Sequence, residues 1–346
     1  MMNNKIRVIV IDDSAFMRKV ISDILMSDPR LDVIATARHG QDGLKKIKTL
    51  NPDVVTLDVE MPIMDGLTTL QHIMADHPVP VVMLSSGTNE GATKTVQAIA
   101  MGAVDFIAKT SGPISLDIHN IKDEIITKVL TASKAKVSKQ TLTNKRVLND
   151  TWQRIHPKTV IAIGTSTGGP RALQYILSRL PKDFPAALLI VQHMPAGFTK
   201  SLADRLNDHA NIKVKEARHG EIIQSGTAYI APGDFHMTVQ KVGTTEVIKL
   251  TEDQPLHGHR PSVDALFNSI ATLKQLNKIA VILTGMGKDG AQGIKRIKKL
   301  DRQSMIIAES KETAIVNGMP TAAVNTQCVN KVVSLHHISD TLIHLV

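Results

Sequence analysis

Ile6-Arg7-Val8-Ile9-Val10-Ile11-Asp12-Asp13 is an apolar run, interrupted only by Arg7, that ends abruptly on two carboxylates. It is far shorter than a membrane span or the core of a signal peptide. A strand that is apolar on both sides is buried on both sides, which is the habit of parallel sheets covered by helices. Four more runs of the same kind follow, at Val33–Thr36, Val54–Leu57, Val79–Leu84 and Val104–Ala108. Between them Ala15–Met26, Gln41–Leu50, Leu67–Ala75 and Ala92–Met101 carry helical spacing, and Ile118–Leu130 closes the series. Strand and helix in strict alternation predict an α/β fold, a (βα)5 doubly wound domain over residues 1–131.

That topology decides what the two carboxylates are for. The carboxyl ends of neighbouring parallel strands open on one crevice. Asp12 and Asp13 follow the first strand, Asp58 the third, Ser85 the fourth and Lys109 the fifth. Any one carboxylate reads equally well as a helix or turn cap. All five residues at strand ends, in order, read as a site. Three converging carboxylates repel one another and need a cation; hard oxygen donors of this kind suit Mg²⁺.

Asp12-Asp13-Ser14, Leu57-Asp58-Val59-Glu60-Met61-Pro62-Ile63-Met64-Asp65-Gly66, Ser85-Ser86 and Asp105-Phe106-Ile107-Ala108-Lys109 together resemble a response-regulator receiver domain. The resemblance implies that Asp58 accepts a phosphoryl group from a histidine kinase. It implies that Asp12, Asp13 and Asp58, with the Glu60 backbone carbonyl, hold Mg²⁺. It further implies that Ser85 and Lys109 bind the phosphoryl oxygens and that Phe106 is the aromatic switch. Thr110 departs from the proline that many receivers carry after the lysine.

The chain of 346 residues is long enough for two domains. Its net charge of +9 raises the question of nucleic acid. Between residues 131 and 158, however, seven cations stand against Asp150 alone. Most of the excess therefore sits in one polar stretch without periodicity, and residues 132–157 are expected to be a basic linker. Aromatic residues are too scarce for base-stacking platforms. The single cysteine, Cys328, allows no internal disulfide and is expected to be a small buried residue. The expectation is a cytoplasmic monomer that neither binds nucleic acid nor inserts into a membrane.

A second α/β alternation begins at Val160 and fills residues 158–346. Strands are expected at Val160–Ile163, Ala187–Val191, Ile279–Leu283, Met305–Ala308 and Val332–Leu335. Helices are expected at Arg171–Leu180, Lys200–His209, Val263–Thr272 and Ala291–Leu300, with a short one closing the chain. The short alternating segments Thr227–Ile230, His236–Gln240 and Thr245–Leu250 suit an antiparallel hairpin addition to this second doubly wound, mainly parallel sheet.

Gly164-Thr-Ser166-Thr-Gly168-Gly169-Pro170 follows a buried strand and opens a helix. Alone, this G-x-S-x-G pattern is ambiguous, because glycines at that spacing also cradle phosphates at helix N-termini. Two further strand ends tip the balance toward a nucleophile. His193 ends the next strand, in Leu189-Ile-Val-Gln-His193-Met-Pro, and Asp289 lies beyond a later one, in Leu283-Thr-Gly-Met286-Gly-Lys-Asp289-Gly. A serine hydroxyl needs a base within reach, and the base needs a carboxylate to orient it. Backbone N–H groups at the helix after Ser166 are placed to bind an oxyanion. The order Ser…His…Asp differs from the Ser…Asp/Glu…His of α/β-hydrolases, so that fold is not inferred. His39, His72, His209 and His344 sit in no comparable setting.

Five segments are similar to the chemotaxis protein-glutamate methylesterase family, CheB: Ile163–Gly169, Gln192-His193-Met-Pro-Ala-Gly-Phe-Thr, Tyr229-Ile-Ala-Pro-Gly-Asp-Phe-His236-Met, His259-Arg-Pro-Ser-Val-Asp264 and Leu283–Gly290. The likeness spans essentially the whole second domain, and a receiver ahead of it fits the family layout. It implies a Ser166–His193–Asp289 triad, with the Met286 backbone N–H contributing to the oxyanion hole. The implied reaction is hydrolysis of glutamyl methyl esters on chemoreceptor helices with release of methanol, together with glutamine deamidation. The resemblance implies no cofactor for the esterase. His259–Asp264 receives no role from the sequence; a turn and helix start is its plain reading. The unphosphorylated receiver is expected to restrain the esterase, and phosphorylation of Asp58 to release it. Two rivals remain: a DNA-binding output, for which no basic recognition helix is seen, and a nucleotide site at Gly164–Gly169, which lacks the lysine of an ATP-binding P-loop.

Overall fold

The computed structural model describes residues 5–109, 118–135 and 158–346. The chain falls into two compact units, Met1–Leu142 and Thr143–Val346. Thr110, and the expected linker from residue 136 onward, lie outside the described residues.

The first unit runs β1 (Ile6–Ile11), α1 (Ala15–Met26), β2 (Leu31–Ala37), α2 (Gly40–Leu50), β3 (Val54–Asp58), α3 (Gly66–Asp76), β4 (Val81–Ser86), α4 (Asn89–Ala100), β5 (Asp105–Lys109) and α5 (Ile118–Ala132). Its sheet is parallel, in the order β2-β1-β3-β4-β5. Val8, Ile9, Val10 and Ile11 are fully buried, as an apolar run covered by helices on both faces must be. The helices begin where side chains cap them. Ser14 Oγ accepts from Met17 N–H, Asp65 from Thr68 N–H and Thr88 from Gly91 N–H. The strand order reverses between β1 and β3, so the crevice opens where Asp12, Asp13 and Asp58 stand.

The second unit begins with β6 (Thr159–Thr165), α6 (Gly169–Leu177), β7 (Ala187–Gln192), α7 (Phe198–His209), β8 (Lys213–Glu216), β9 (Thr227–Ile230), β10 (His236–Val242) and β11 (Thr245–Thr251). It continues with α8 (Val263–Ala271), β12 (Asn277–Ile282), α9 (Ala291–Leu300), β13 (Met305–Glu309), α10 (Gly318–Val324), β14 (Lys331–Val333) and α11 (Leu335–Leu345). Seven parallel strands lie in the order β14-β13-β12-β6-β7-β9-β8. β10 and β11 form a separate antiparallel hairpin, tied to α8 by the Val239 N–H bond to Ser269 Oγ at 2.9 Å. β6 is the switch strand: the chain winds outward from it through β7 on one side and β12 on the other.

Two expectations are corrected here. Thr227–Ile230 is not part of the hairpin: β9 is parallel to both β7 and β8, with all four residues buried. No helix separates it from β8, so its pattern alone reads as a hairpin strand. The last strand ends at Val333, because Ser334 turns the chain into α11 at Leu335. Cys328 is partly buried against the core, its thiol directed at Thr326 O, 3.5 Å away. No helix among the described residues is long and apolar enough to cross a membrane.

Candidate functional site

In the first unit, strand ends bring the expected residues together. Asp12 and Asp58 are buried, and Lys109 Nζ bridges them at 2.8 Å to Asp12 Oδ2 and 2.8 Å to Asp58 Oδ2. Asp12, Asp13 and Asp58 can each place one carboxylate oxygen within 4.8 Å of the others. Burial drives the Asp58 carboxyl up and Asp12 adds repulsion; attraction to Lys109 offsets part of this, and the result is about 6. Burial disfavours the Lys109 charge, but the two carboxylates outweigh it and hold its pKa above the ordinary value. One lysine against three carboxylates leaves negative charge uncompensated, and all the donors are hard oxygens. The residues present therefore fit Mg²⁺. The Glu60 side chain turns outward toward Lys94, 3.8 Å away, and its N–H makes a long 3.5 Å contact with Asp58 Oδ1.

Two receiver residues are engaged elsewhere. The Ser85 hydroxyl donates to Gly91 O at 3.1 Å, inside the first turn of α4, and lies 3.2 Å from Ser86 O. A role with phosphoryl oxygens requires that bond to exchange. The Phe106 ring is buried; Lys128 of α5 lies 5.0 Å from its centroid and donates to Phe106 O at 2.6 Å.

In the second unit Ser166, His193 and Asp289 follow β6, β7 and β12, the three central strands of the sheet. Thr165 pairs with Gln192, so Ser166 and His193 leave adjacent strands at the same level. His193 N–H donates to Thr165 O at 3.1 Å, and Gln192 Nε2 donates to Ser166 O at 3.0 Å. Ser166 N–H donates to Thr284 O at 3.1 Å. Gly168, at φ +78°, turns the chain into α6; a Cβ there would strike Ile315 at 2.9 Å. Gly285 lies so close that a Cβ would stand 2.9 Å from Ser166 Cβ. Met286 is thus one residue from the contact with Ser166.

His193 Nε2 is 2.9 Å from Asp289 Oδ2. Its other ring nitrogen, Nδ1, is buried and makes no hydrogen bond to the described residues. Asp289 is filled on both oxygens. Oδ1 accepts from Ser262 Oγ and Asp264 N–H, each at 2.9 Å, and Oδ2 accepts from Val263 N–H at 2.7 Å as well as facing His193. Ser262 is the N-cap of α8, so this carboxylate sits on a helix N-terminus, where backbone N–H groups and the helix dipole favour negative charge. Burial alone would raise its pKa, but the His193 bond and the two backbone N–H groups hold it at about 2. The His259 ring stacks on His193, centroids 3.9 Å apart and planes within 10°.

This accounts for His259–Asp264. Its Ser262, Val263 and Asp264 grip Asp289, and its His259 backs His193. The Tyr229–Met237 segment packs nearby: Asp234 N–H donates to Arg260 O at 3.2 Å, and Gly233 lies against Pro195 and Ala196. Sequence reasoning misses Ser262, Thr284 and Glu309. No local pattern marks a helix cap that serves an aspartate some 25 residues away.

The CheB methylesterase family model matches residues 161–342, and the response regulator receiver domain model matches residues 8–119. A protein-glutamate methylesterase/protein-glutamine glutaminase of Oceanobacillus iheyensis is 56% identical over 346 residues, with 98% of each chain covered. Its namesake from Halalkalibacterium halodurans is 52% identical over 344 residues, with 99% of each covered. The crystal structure of the Thermotoga maritima CheB methylesterase catalytic domain superposes with a TM-score of 0.53 at 43% identity, covering 55% of this chain and 99% of that one.

Proposed function

The chain belongs to the CheB methylesterase family, with a receiver domain ahead of its catalytic unit, and from that premise we propose how its residues divide the work. It is a protein-glutamate methylesterase and protein-glutamine glutaminase whose activity is set by phosphorylation of Asp58, acting in the cytoplasm on chemoreceptor helices. The observation that carries the esterase reading is the buried His193–Asp289 pair at the strand end beside Ser166.

Ser166 Oγ attacks the glutamyl carbonyl carbon and His193 takes its proton. Since Nε2 is committed to Asp289, the accepting nitrogen is Nδ1. The ionised Asp289 holds the ring's tautomer and stabilises the imidazolium. Backbone N–H groups at Met286 and at the start of α6 take the oxyanion. Collapse expels the methoxy group, which leaves as methanol with the proton from His193. Water, activated by the same base, then hydrolyses the acyl-enzyme. An amide substrate follows the same path with ammonia leaving. One serine thus serves both reactions. A fluorophosphonate probe is expected to add covalently at Ser166, located by peptide mass spectrometry, and to stop methanol and ammonia release in parallel. Labelling elsewhere with both activities lost would overturn this.

At the receiver, Asp12, Asp13, Asp58 and the Glu60 carbonyl would hold Mg²⁺, which when bound offsets the charge developing on the transferring phosphoryl group. Asp58 accepts that group from a histidine kinase, and Lys109, already within 2.8 Å, neutralises it. With a small phosphodonor and Mg²⁺, methanol release is expected to rise on the order of tenfold. Asp58→Ala, or EDTA with the wild type, abolishes the response. An equal response in Asp58→Ala would refute control through this residue.

A further inference from the structure

Glu309 ends β13 as a fully buried carboxyl that the triad does not use. Its Oε2 accepts from Thr284 N–H at 2.8 Å, and its Oε1 accepts from Thr313 Oγ1 at 3.0 Å. Among the described residues no cation acts on it, and burial lifts its pKa to about 7 against the pull of those two hydrogen bonds. A buried acid without a counter-charge is costly, so its placement asks for a reason beyond packing.

The reason lies one residue away. Thr284 grips all three residues of the Ser166 turn. Thr284 O accepts from Thr165 Oγ1 at 2.9 Å and from Ser166 N–H at 3.1 Å, and Thr284 Oγ1 donates to Thr167 O at 2.9 Å. Thr284 Oγ1 also accepts from Val316 N–H at 2.9 Å, and Gly285 N–H donates to Val316 O at 2.9 Å. Thr284 therefore joins the nucleophile turn to the loop carrying Gly285 and Met286. Glu309 holds the remaining polar group of Thr284, its N–H. Thr313, the other partner of Glu309, accepts from Leu335 N–H at 2.9 Å, which ties this anchor to the start of α11.

We propose that Glu309 is a positioning residue for the esterase, fixing Thr284 and through it the Ser166 turn and the adjoining oxyanion loop. The inference rests on Ser166 being the nucleophile. Its substance is a hydrogen-bond acceptor rather than a charge. A glutamine can accept from Thr284 N–H through its carbonyl and donate to Thr313 Oγ1 through its amide, whereas an apolar residue leaves Thr284 N–H buried and unpaired. Glu309 reaches the Ser166 turn only through Thr284, both of its oxygens being taken by Thr284 and Thr313, so its effect falls on geometry and not on binding.

The test uses the full-length protein activated by phosphodonor, with Glu309→Met (similar length, no oxygen acceptor) and Glu309→Gln. Glu309→Met is expected to lower kcat for methanol release roughly 10- to 100-fold, the scale of a small misplacement at a reacting centre. KM stays within about twofold and the rate of fluorophosphonate labelling at Ser166 falls in step. Glu309→Gln restores kcat to within about threefold of wild type. Rates are taken per folded molecule, from folded fractions measured by circular dichroism. Should Glu309→Met not fold, Thr313→Val reads the same anchor from its far side, and a kcat loss with KM unchanged is again expected. Wild-type kcat per folded molecule in Glu309→Met, a change confined to KM, or no rescue by glutamine overturns the proposal. Activity surviving in Ser166→Ala would instead mean that the nucleophile has been misassigned.

Discussion

Replacing Ser166 by alanine lowers methanol release from methylated receptor membranes by roughly 10⁴-fold or more, while leaving the fold intact. The two effects come from different atoms of one residue. The backbone of Ser166 does structural work: its N–H bonds Thr284 O at 3.1 Å, and its carbonyl accepts from Gly169 N–H at 2.8 Å and Gln192 Nε2 at 3.0 Å. The hydroxyl takes part in none of these bonds, so its loss should move the unfolding midpoint little, within the scatter of ordinary substitutions. Without it no acyl-enzyme forms, and only the oxyanion donors and substrate binding remain to accelerate attack by water. Ammonia release from receptor glutamines should fall by the same factor, since both leaving groups depart from the same acyl carbon. A variant that keeps more than a few per cent of either activity, with a normal melting curve, would place that chemistry elsewhere.

How legible each feature is in the sequence depends on how local its cause is. Asp12, Asp58 and Lys109 can be assembled from sequence because each directly follows an apolar run, and parallel strands deliver their ends to one edge. Ser166, His193 and Asp289 follow from the same rule. The rule places residues but does not aim side chains. Ser85 stands where expected, yet its hydroxyl is bonded to Gly91 O. The support of the triad is not legible, because it is made by contacts between segments without local pattern. Ser262–Asp264 reads as an ordinary helix start, and only the tertiary fold sets that start on Asp289. Glu309 reads as the last residue of an apolar strand, and its bond to Thr284 crosses to the loop that follows the neighbouring strand. β9 misleads for a related reason: four buried residues without a preceding helix carry no mark of strand direction.

Both units place their candidate sites at a point where strand order reverses, but they treat buried negative charge in opposite ways. Around Asp58 repulsion is left partly uncompensated, which under the proposed function gives a metal and a phosphoryl group something to settle. At Asp289 both carboxylate oxygens are engaged, by Ser262 Oγ and three N–H groups, two of the backbone and one of the His193 ring. On the proposed reading the receiver site is built to change state, and the Ser166–His193–Asp289 set to hold one geometry.

Asp289→Asn is the sharpest test of that second statement. The amide keeps the shape but cannot satisfy the same partners. Whichever way it is turned, its NH₂ faces a backbone N–H, of Val263 or of Asp264, where a carboxylate oxygen accepted one at 2.7 or 2.9 Å. In one orientation the NH₂ also donates to His193 Nε2, driving the ring proton to Nδ1 and removing the base that Ser166 needs. In the other the tautomer survives, but the negative charge beside the imidazolium is gone. Either way kcat is expected to fall roughly 10³- to 10⁴-fold. Stability should report the same charge. Asp289 holds its pKa at about 2, below its ordinary 3.8, so the folded protein binds this proton less readily than the unfolded chain. That contribution, about 2 kcal/mol, is complete above pH 4 and is lost as pH falls toward 2. The wild type should therefore be more stable than Asp289→Asn at pH 7, and the gap should close on acidification through that window in urea titrations. An asparagine variant with kcat within tenfold of wild type, or a stability gap that does not narrow below pH 4, would mean that the α8 N-terminus and not the carboxylate charge is what holds His193 in place.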